Sequence, residues 1–289
     1  VVVVVVVVVV KRKSKERIMK AFLCLLFLSV CWVSSLLGDD DSDHPYGEMD
    51  GFESGEILDN QHGGIWVPCG PQYERWVCGH ITAVTSPVRS GKYAANITCQ
   101  PGDTAEEGGS TERDELDSGK WFELGKDLWY GWSFMLPTDF EITDDRFVMS
   151  QYKQSGRVSG GSSPIFGFRY VNAVWYVTLR LEDYNTNGTE TVFDLPTLIL
   201  GQWHDMIVNV RFDVDETMGY FNVWVNGTQE IEYKGRSAYL PPGGGERFYH
   251  KTGIYRDAWP DNWTMFFDNY KIGHNYQEVD PSSPTNWPN

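Results

Sequence analysis

Residues 248–257 read FYHKTGIYRD. In a strand, side chains alternate between two faces. Tyr249, Lys251, Gly253 and Tyr255 then share one face, and His250, Thr252, Ile254 and Arg256 the other. A face of two phenols, an amine and a glycine offers little aliphatic surface to a core. It suits a groove, with a phenol and a cation above an open floor. The same alternation recurs in YGWSFMLP (130–137), FGFRYV (166–171), VWYVTLRL (174–181), HDMIVNVRF (204–212), YFNVWVNG (220–227) and TMFFDNYKIG (264–273). Gly, Pro, Asn and Asp punctuate these runs. DVDETMG (213–219) reads as a hairpin turn and PPGGGER (241–247) as a loop. No long helical pattern and no fixed-period repeat interrupts the series. The pattern predicts an all-β fold, an antiparallel β-sandwich of jelly-roll, lectin-like type, over residues 51–275.

The ends read differently. Residues 1–18 hold ten valines and KRKSKER, which lie upstream of anything that packs. MKAFLCLLFLSVCWVSSLLG (19–38) has the basic start, apolar run and small-residue exit of a secretory signal peptide. The competing membrane anchor is disfavoured by the short run and by DDDSD after it. Residues 39–50 then form an acidic linker and 276–289 a tail. The expectation is a secreted, extracellular monomer with no membrane association once the leader is removed. The net charge is −16, and about −21 without residues 1–38. That excludes a general nucleic-acid binder, which needs a basic surface. A polyanion would be repelled unless a local basic groove overrides the global field. Cys69, Cys78 and Cys99 follow the leader, which predicts one disulfide, Cys69–Cys78 or Cys78–Cys99. Sequons at Asn96, Asn187, Asn226 and Asn262 fit a glycoprotein.

Two further stretches carry polar faces. In STERDEL (110–116), Arg113 and Glu115 point the same way; in MSQYK (149–153), Gln151 and Lys153 do. Each alone reads equally well as a solvated outer face. Together with Lys251 and Tyr255 they collect an amide, cations and a phenol inside an acidic chain. A polyuronate lyase needs such groups. Arg, Lys and Gln neutralise the uronate carboxylate so that the adjacent C–H becomes acidic. Tyr or His then moves the proton. A glycoside hydrolase on the same sandwich needs a carboxylate pair flanking the bond. Glu112, Glu115 and Asp117 supply no convincing pair, because Gly119 stands where a third acid on that face would be. No G-x-S-x-G elbow supports a serine nucleophile.

The sequence resembles the heparin-lyase-I-like polysaccharide lyases, including the glucuronan lyases, and more distantly the jelly-roll alginate lyases. SPVRSGKYAANIT (86–98), TERDEL (111–116), LWYGWSFMLPTDF (128–140), GQWHDMIVNVRFD (201–213), GYFNVWVNG (219–227), KTGIYRD and FFDNYKIG carry the resemblance, in family order. It implies β-elimination on an acidic polysaccharide, glucuronan-like or heparin-like, without an organic cofactor. By resemblance Tyr255 is the catalytic tyrosine, and Gln151 and Arg113 neutralise the carboxylate, with Lys251 and Lys153 beside them. Glu115 and Tyr249 are implied to contact substrate, and His62, in NQHGGIW, is read as lining the groove. Lys153 stands where the alginate lyases have His, which departs from an alginate site and leaves the base open between Tyr255 and a histidine. His62 is the candidate; His80 precedes a strand, His204 reads as scaffold, and His250 faces away from Tyr255. Asp268 with Glu53 is either a structural calcium pair, as in related jelly rolls, or an aspartate bonded to a loop. The alternative functions are a carbohydrate-binding protein without catalysis, a glycoside hydrolase, and a secreted matrix protein.

Overall fold

The computed structural model describes residues 49–57, 66, 80–104, 109–118, 122–155, 164–181, 189–239 and 247–283. Two antiparallel sheets face each other across an aromatic core, as the alternation requires. The first sheet runs β13 (Thr228–Lys234), β12 (Tyr220–Val225), β11 (His204–Arg211), β6 (Asp127–Met135), β15 (Trp263–Gly273), β3 (Ala94–Cys99) and β2 (Ile81–Val84), with β1 (Met49–Asp50) also on β15. The second runs β10 (Thr189–Asp194), β9 (Val174–Leu181), β8 (Phe166–Val171), β7 (Phe147–Gln154), β14 (Arg247–Asp257) and β4 (Thr111–Asp117), with β5 (Phe122–Glu123) also on β14. Neighbouring strands that are distant in sequence, such as β7, β14 and β4, give the jelly-roll crossing pattern.

Turn chemistry explains the hairpins. Asn226 and Gly227 join β12 to β13 with φ of 49° and 83°. Both central residues then have the positive φ of a type I′ turn, which matches the right-handed twist of the strands. The β11–β12 hairpin turns through 212–219, where Asp215 accepts from the Thr217 amide and hydroxyl.

The core is aromatic. Phe166 stacks on Phe221 at 3.8 Å, and Phe212 on Phe248 at 4.1 Å, each pair bridging the two sheets. The tail expected from residue 276 begins instead with α1 (Tyr276–Val279), which packs on β6 and β15. Its placement needs Gly131, where a Cβ would stand 1.7 Å from the Val279 carbonyl oxygen. Lys271 Nζ donates to the Asp280 carbonyl at 2.7 Å and closes this end. Likewise, the acidic segment expected over 39–50 ends in β1, paired with β15. Cys99 is buried; Cys69 and Cys78 lie outside the described residues, and with them both expected pairings. Among the described residues no helix is long and apolar enough to cross a membrane.

Candidate active site

Strand β14 occupies the middle of the site because it pairs with β4 on one side and β7 on the other. Tyr255 lies opposite Arg113, Gly253 opposite Glu115, and Lys251 opposite both Asp117 and Gln151. The three polar faces expected from the sequence thus become one surface. Between Thr252 and Tyr255 the register against β7 shifts by one residue, a bulge centred on Gly253. Gly253 has φ +137°, and a Cβ there would lie 2.3 Å from the Asp114 carbonyl oxygen. Only glycine lets β4 come this close.

Above this surface runs a groove of about 500 Å³. Its walls include Arg113, Glu115, Gln151, Lys153, Lys251 and Tyr255. A second bank, from β8, β9 and β10, adds Arg169, Tyr176, Thr178, Arg180 and Glu190, and Arg146 closes the end near Tyr255. Six of the lining residues are cationic and two anionic, which gives this acidic chain the local basic groove a polyanion requires.

Tyr255 is held by two arginines. The Arg113 guanidinium lies 4.7 Å from its ring centroid and that of Arg146 5.4 Å. Arg146 Nη1 also donates to the phenol oxygen at 3.2 Å, while its other nitrogen pairs with Asp257. Gln151 donates its amide nitrogen to Glu115 across Gly253, and both side chains are buried. One N–H of that amide thereby fixes its orientation and leaves the second for a ligand. Lys251 lies under the floor, 3.7 Å from Asp117. Burial pushes its ammonium down to about 8, against the pull of Glu115 and Asp117 and with the help of Lys153 and Arg113. Burial also lowers Lys153. On the second bank, Arg169 Nε donates to Thr178 Oγ1 at 3.0 Å and Arg180 pairs with Glu190 at 2.9 Å.

Other expected residues fall elsewhere. Tyr249 is on the same strand face but is not among the groove walls; it lies under the Lys251 ammonium at 5.7 Å. His62 lies outside the described residues. His250 points into the core, as alternation requires, stacked on Tyr270 with its Nε2 2.7 Å from Ser150 Oγ. His204 is buried against the Ile199 backbone, a scaffold position. Asp268 accepts the amides of Arg89, Ser90 and Asn269, and Glu53 accepts that of Lys92. These amides tie both carboxylates to the loop over 89–92. Burial, opposed by those amides, holds the Asp268 carboxyl up at about 7.

The second bank and Arg146 were not picked out from the sequence. Their signal was present in VWYVTLRL, where Tyr176, Thr178 and Arg180 alternate with Trp175, Val177 and Leu179.

The geometry brings together a phenol, an amide and a set of cations, and among the described residues the two groove carboxylates, Glu115 and Glu190, are paired with Gln151 and Arg180. Glu115, the β4 acid that faces the groove, is already engaged by Gln151. This suits deprotonation beside a carboxylate better than glycoside hydrolysis.

Comparison with known proteins bears on the fold and the family. An endo-β-1,4-glucuronan lyase from the fungus Trichoderma reesei shares the fold with a TM-score of 0.60 at 20% identity, over 71% of this chain and 90% of that one. The cellulose-induced protein Cip1 aligns with a TM-score of 0.49 at 15% identity, over 79% and 97% of the two chains. Alginate lyase AlgAT5, of polysaccharide lyase family 7, aligns at 0.46 and 15%, over 70% and 85%. No curated protein matches the chain by sequence. The family model described as polysaccharide lyase matches residues 47–271, the whole sandwich apart from its closing helix. The chain belongs to the polysaccharide lyase family.

Proposed function

We propose that this lyase cleaves a glucuronan-like polyuronate by β-elimination in the groove over β4, β14 and β7. The observation that carries the reading is Tyr255, a phenol held between Arg113 and Arg146 at the mouth of a cation-lined groove. A uronate carboxylate lies against Arg113 and the spare Gln151 N–H, with the Lys251 charge beneath. Those donors hold the negative charge that spreads into the carboxylate as the C5 proton leaves. The Tyr255 oxygen, acting as the phenolate, takes that proton to become the phenol, the C4–O bond breaks, and a C4=C5 double bond forms. The same phenol returns the proton to the departing oxygen when both lie on one face of the ring. The Arg146 N–H aimed at the phenol oxygen stabilises charge there during the exchange. Side chains supply both proton steps, so the reaction calls for no organic cofactor. The sulfated, heparin-like class is the second substrate reading, favoured by Arg169 and Arg180 on the far bank and by Arg146 at the end of the groove. The leader-like segment 19–38 and the sequons support an extracellular location.

The test is absorbance of the unsaturated uronate product, with glucuronan, alginate, heparin and heparan sulfate supplied separately. Glucuronan should give the fastest rise. Tyr255→Phe should lower kcat by about 10³-fold, within the span of general acid–base catalysis, with an unchanged melting temperature. A folded Tyr255→Phe variant with full activity would overturn the assignment. A flat trace with every polymer, from protein that still binds one, would favour the carbohydrate-binding alternative.

A further inference from the structure

Behind the catalytic surface, on the inward side of β4, three acid–base side chains meet. His80 immediately precedes β2, Asp103 lies in the turn after β3, and Asp114 is in the middle of β4. One ligand atom from each lies within 4.8 Å of the others. His80 Nδ1 is 3.0 Å from an Asp103 oxygen and 3.6 Å from an Asp114 oxygen. Asp114 is 0% exposed, yet neither of its oxygens has a hydrogen-bond partner. A carboxylate cut off from both water and donors is costly, and it asks for a positive partner. His80 is part-exposed, with 32% of its side chain accessible, so one corner of the cluster opens to solvent.

We propose that His80, Asp103 and Asp114 form a binding site for a divalent transition-metal ion of the zinc class, with solvent completing its shell.

Three observations carry this. The first is spacing. Four ligands at about 2.0–2.1 Å from a tetrahedral zinc stand about 3.3 Å apart. The 3.0 Å and 3.6 Å separations from His80 bracket that edge. The second is the donor set: one imidazole nitrogen with two carboxylates selects zinc or a similar ion over calcium, which takes oxygen alone. The third is the pair of unpartnered Asp114 oxygens.

The location gives the ion a task. His80 leads into β2 of the first sheet, Asp103 lies in the turn between β3 and β4, and Asp114 is in the second sheet, so the ion would clip the two sheets at their shared margin. The Arg113 amide donates to the Asp103 carbonyl at 2.9 Å, and Asp114 is flanked by Arg113 and Glu115, which face the groove. The ion would thus hold β4 from behind, as a positioning device for those two side chains.

The competing arrangement is a proton shared between the two aspartates. To separate them, the chelator-stripped protein is titrated with ZnCl2 and with CaCl2 by calorimetry, and its melting temperature is followed. The expected result is one zinc per chain, a melting temperature several degrees higher at saturation, and no effect of calcium. Co2+ in place of zinc should give the visible absorption of a tetrahedral nitrogen–oxygen site. Asp114→Asn should abolish binding while melting at or above the metal-free parent, because its amide can donate to Asp103. Failure of the parent to bind zinc, or unchanged binding by Asp114→Asn, would overturn the proposal. These readouts do not involve the polysaccharide, so they stand or fall apart from the lyase reading.

Discussion

Lys251 gives the groove a charge that can be switched off without mutation. Its ammonium lies 1% exposed beneath the floor, and burial brings it down from 10.5 to about 8. The arginines around it keep their charge throughout the accessible range. Raising the pH through 8 therefore removes one positive charge from the empty site and leaves the arginines' charges in place. If that charge attracts the uronate carboxylate, kcat/KM follows the protonated fraction of Lys251 in the free enzyme. At pH 9 about one-tenth remains protonated, so kcat/KM should fall about tenfold, or ~1.4 kcal/mol. A bound carboxylate favours the charged amine, so kcat at saturation should fall less over the same interval. The assay is the initial rate of product absorbance on glucuronan from pH 6.5 to 9.5 at constant ionic strength. In Lys251→Arg the basic limb should vanish, whatever happens to the plateau, since the guanidinium stays charged. Unfolding cannot mimic the limb through this group. Between pH 8 and 10.5 the unfolded chain binds the proton that native Lys251 has lost, so this residue adds stability as the pH rises. A flat profile to pH 9.5, or a limb that persists in Lys251→Arg, would refute the reasoning.

Gly253→Ala should cost about 1–3 kcal/mol of stability by chemical denaturation, because its backbone strain adds to a clash with β4, and activity should fall with it. His250 is held down to about 3 by burial, against an ordinary 6.5. Below pH 6.5 the unfolded chain takes up a proton that the native imidazole refuses, so stability is lost as the pH falls towards 3. His250→Gln should be less stable at neutral pH but show a shallower decline over that window, measured as urea midpoint against pH. Ionic strength should act in two directions on kcat/KM. Added salt first screens the distant acids that repel a polyanion and then weakens the groove itself, so a maximum is expected near a Debye length of about 10 Å.

Much of this architecture could be read from alternation alone. FGFRYV and VWYVTLRL coincide with β8 and β9 because each alternates without a break. The strand TQEIEYK is not legible from alternation: β13 is an edge strand with one fully buried residue, Ile231, and its charges hide the period. Its signal was the preceding Asn-Gly pair. The order of strands in each sheet was not legible, because β14 meets β7 and β4 across roughly a hundred residues or more. At the site, Arg113, Gln151, Lys251 and Tyr255 could be recognised because each interrupts an aliphatic pattern on a polar face. Arg169 and Arg180 could not, since aromatic neighbours made their strands look like scaffold. Asp114 is obscured for a related reason: the outward Arg113 and Glu115 carry the polar-face signal of TERDEL, and its inward acid is legible only once the faces are assigned.

That inward face explains how the site keeps its geometry. A sandwich of this size could fill the back of β14 with aliphatic residues, yet it places His250, Thr252 and Arg256 there, all buried. Replacing such groups by apolar ones of similar volume often leaves stability unchanged or raises it. Their partners show what they accomplish instead. Arg256 lies opposite Glu112 in the β14–β4 register and pairs with it at 2.8 Å, also donating to the Asp261 carbonyl. His250 bonds Ser150 of β7 on one side and Tyr270 of β15 on the other. A slip of one residue in β14 would exchange its faces, putting Tyr255 and Lys251 into the core and Arg256 into the groove. Aliphatic residues would tolerate parts of that slip. A buried guanidinium torn from its carboxylate would not, at a cost of about 3–5 kcal/mol. The polar interior of β14 thus acts as a register lock, and the positions of Tyr255 and Lys251 in the groove follow from the residues directly behind them.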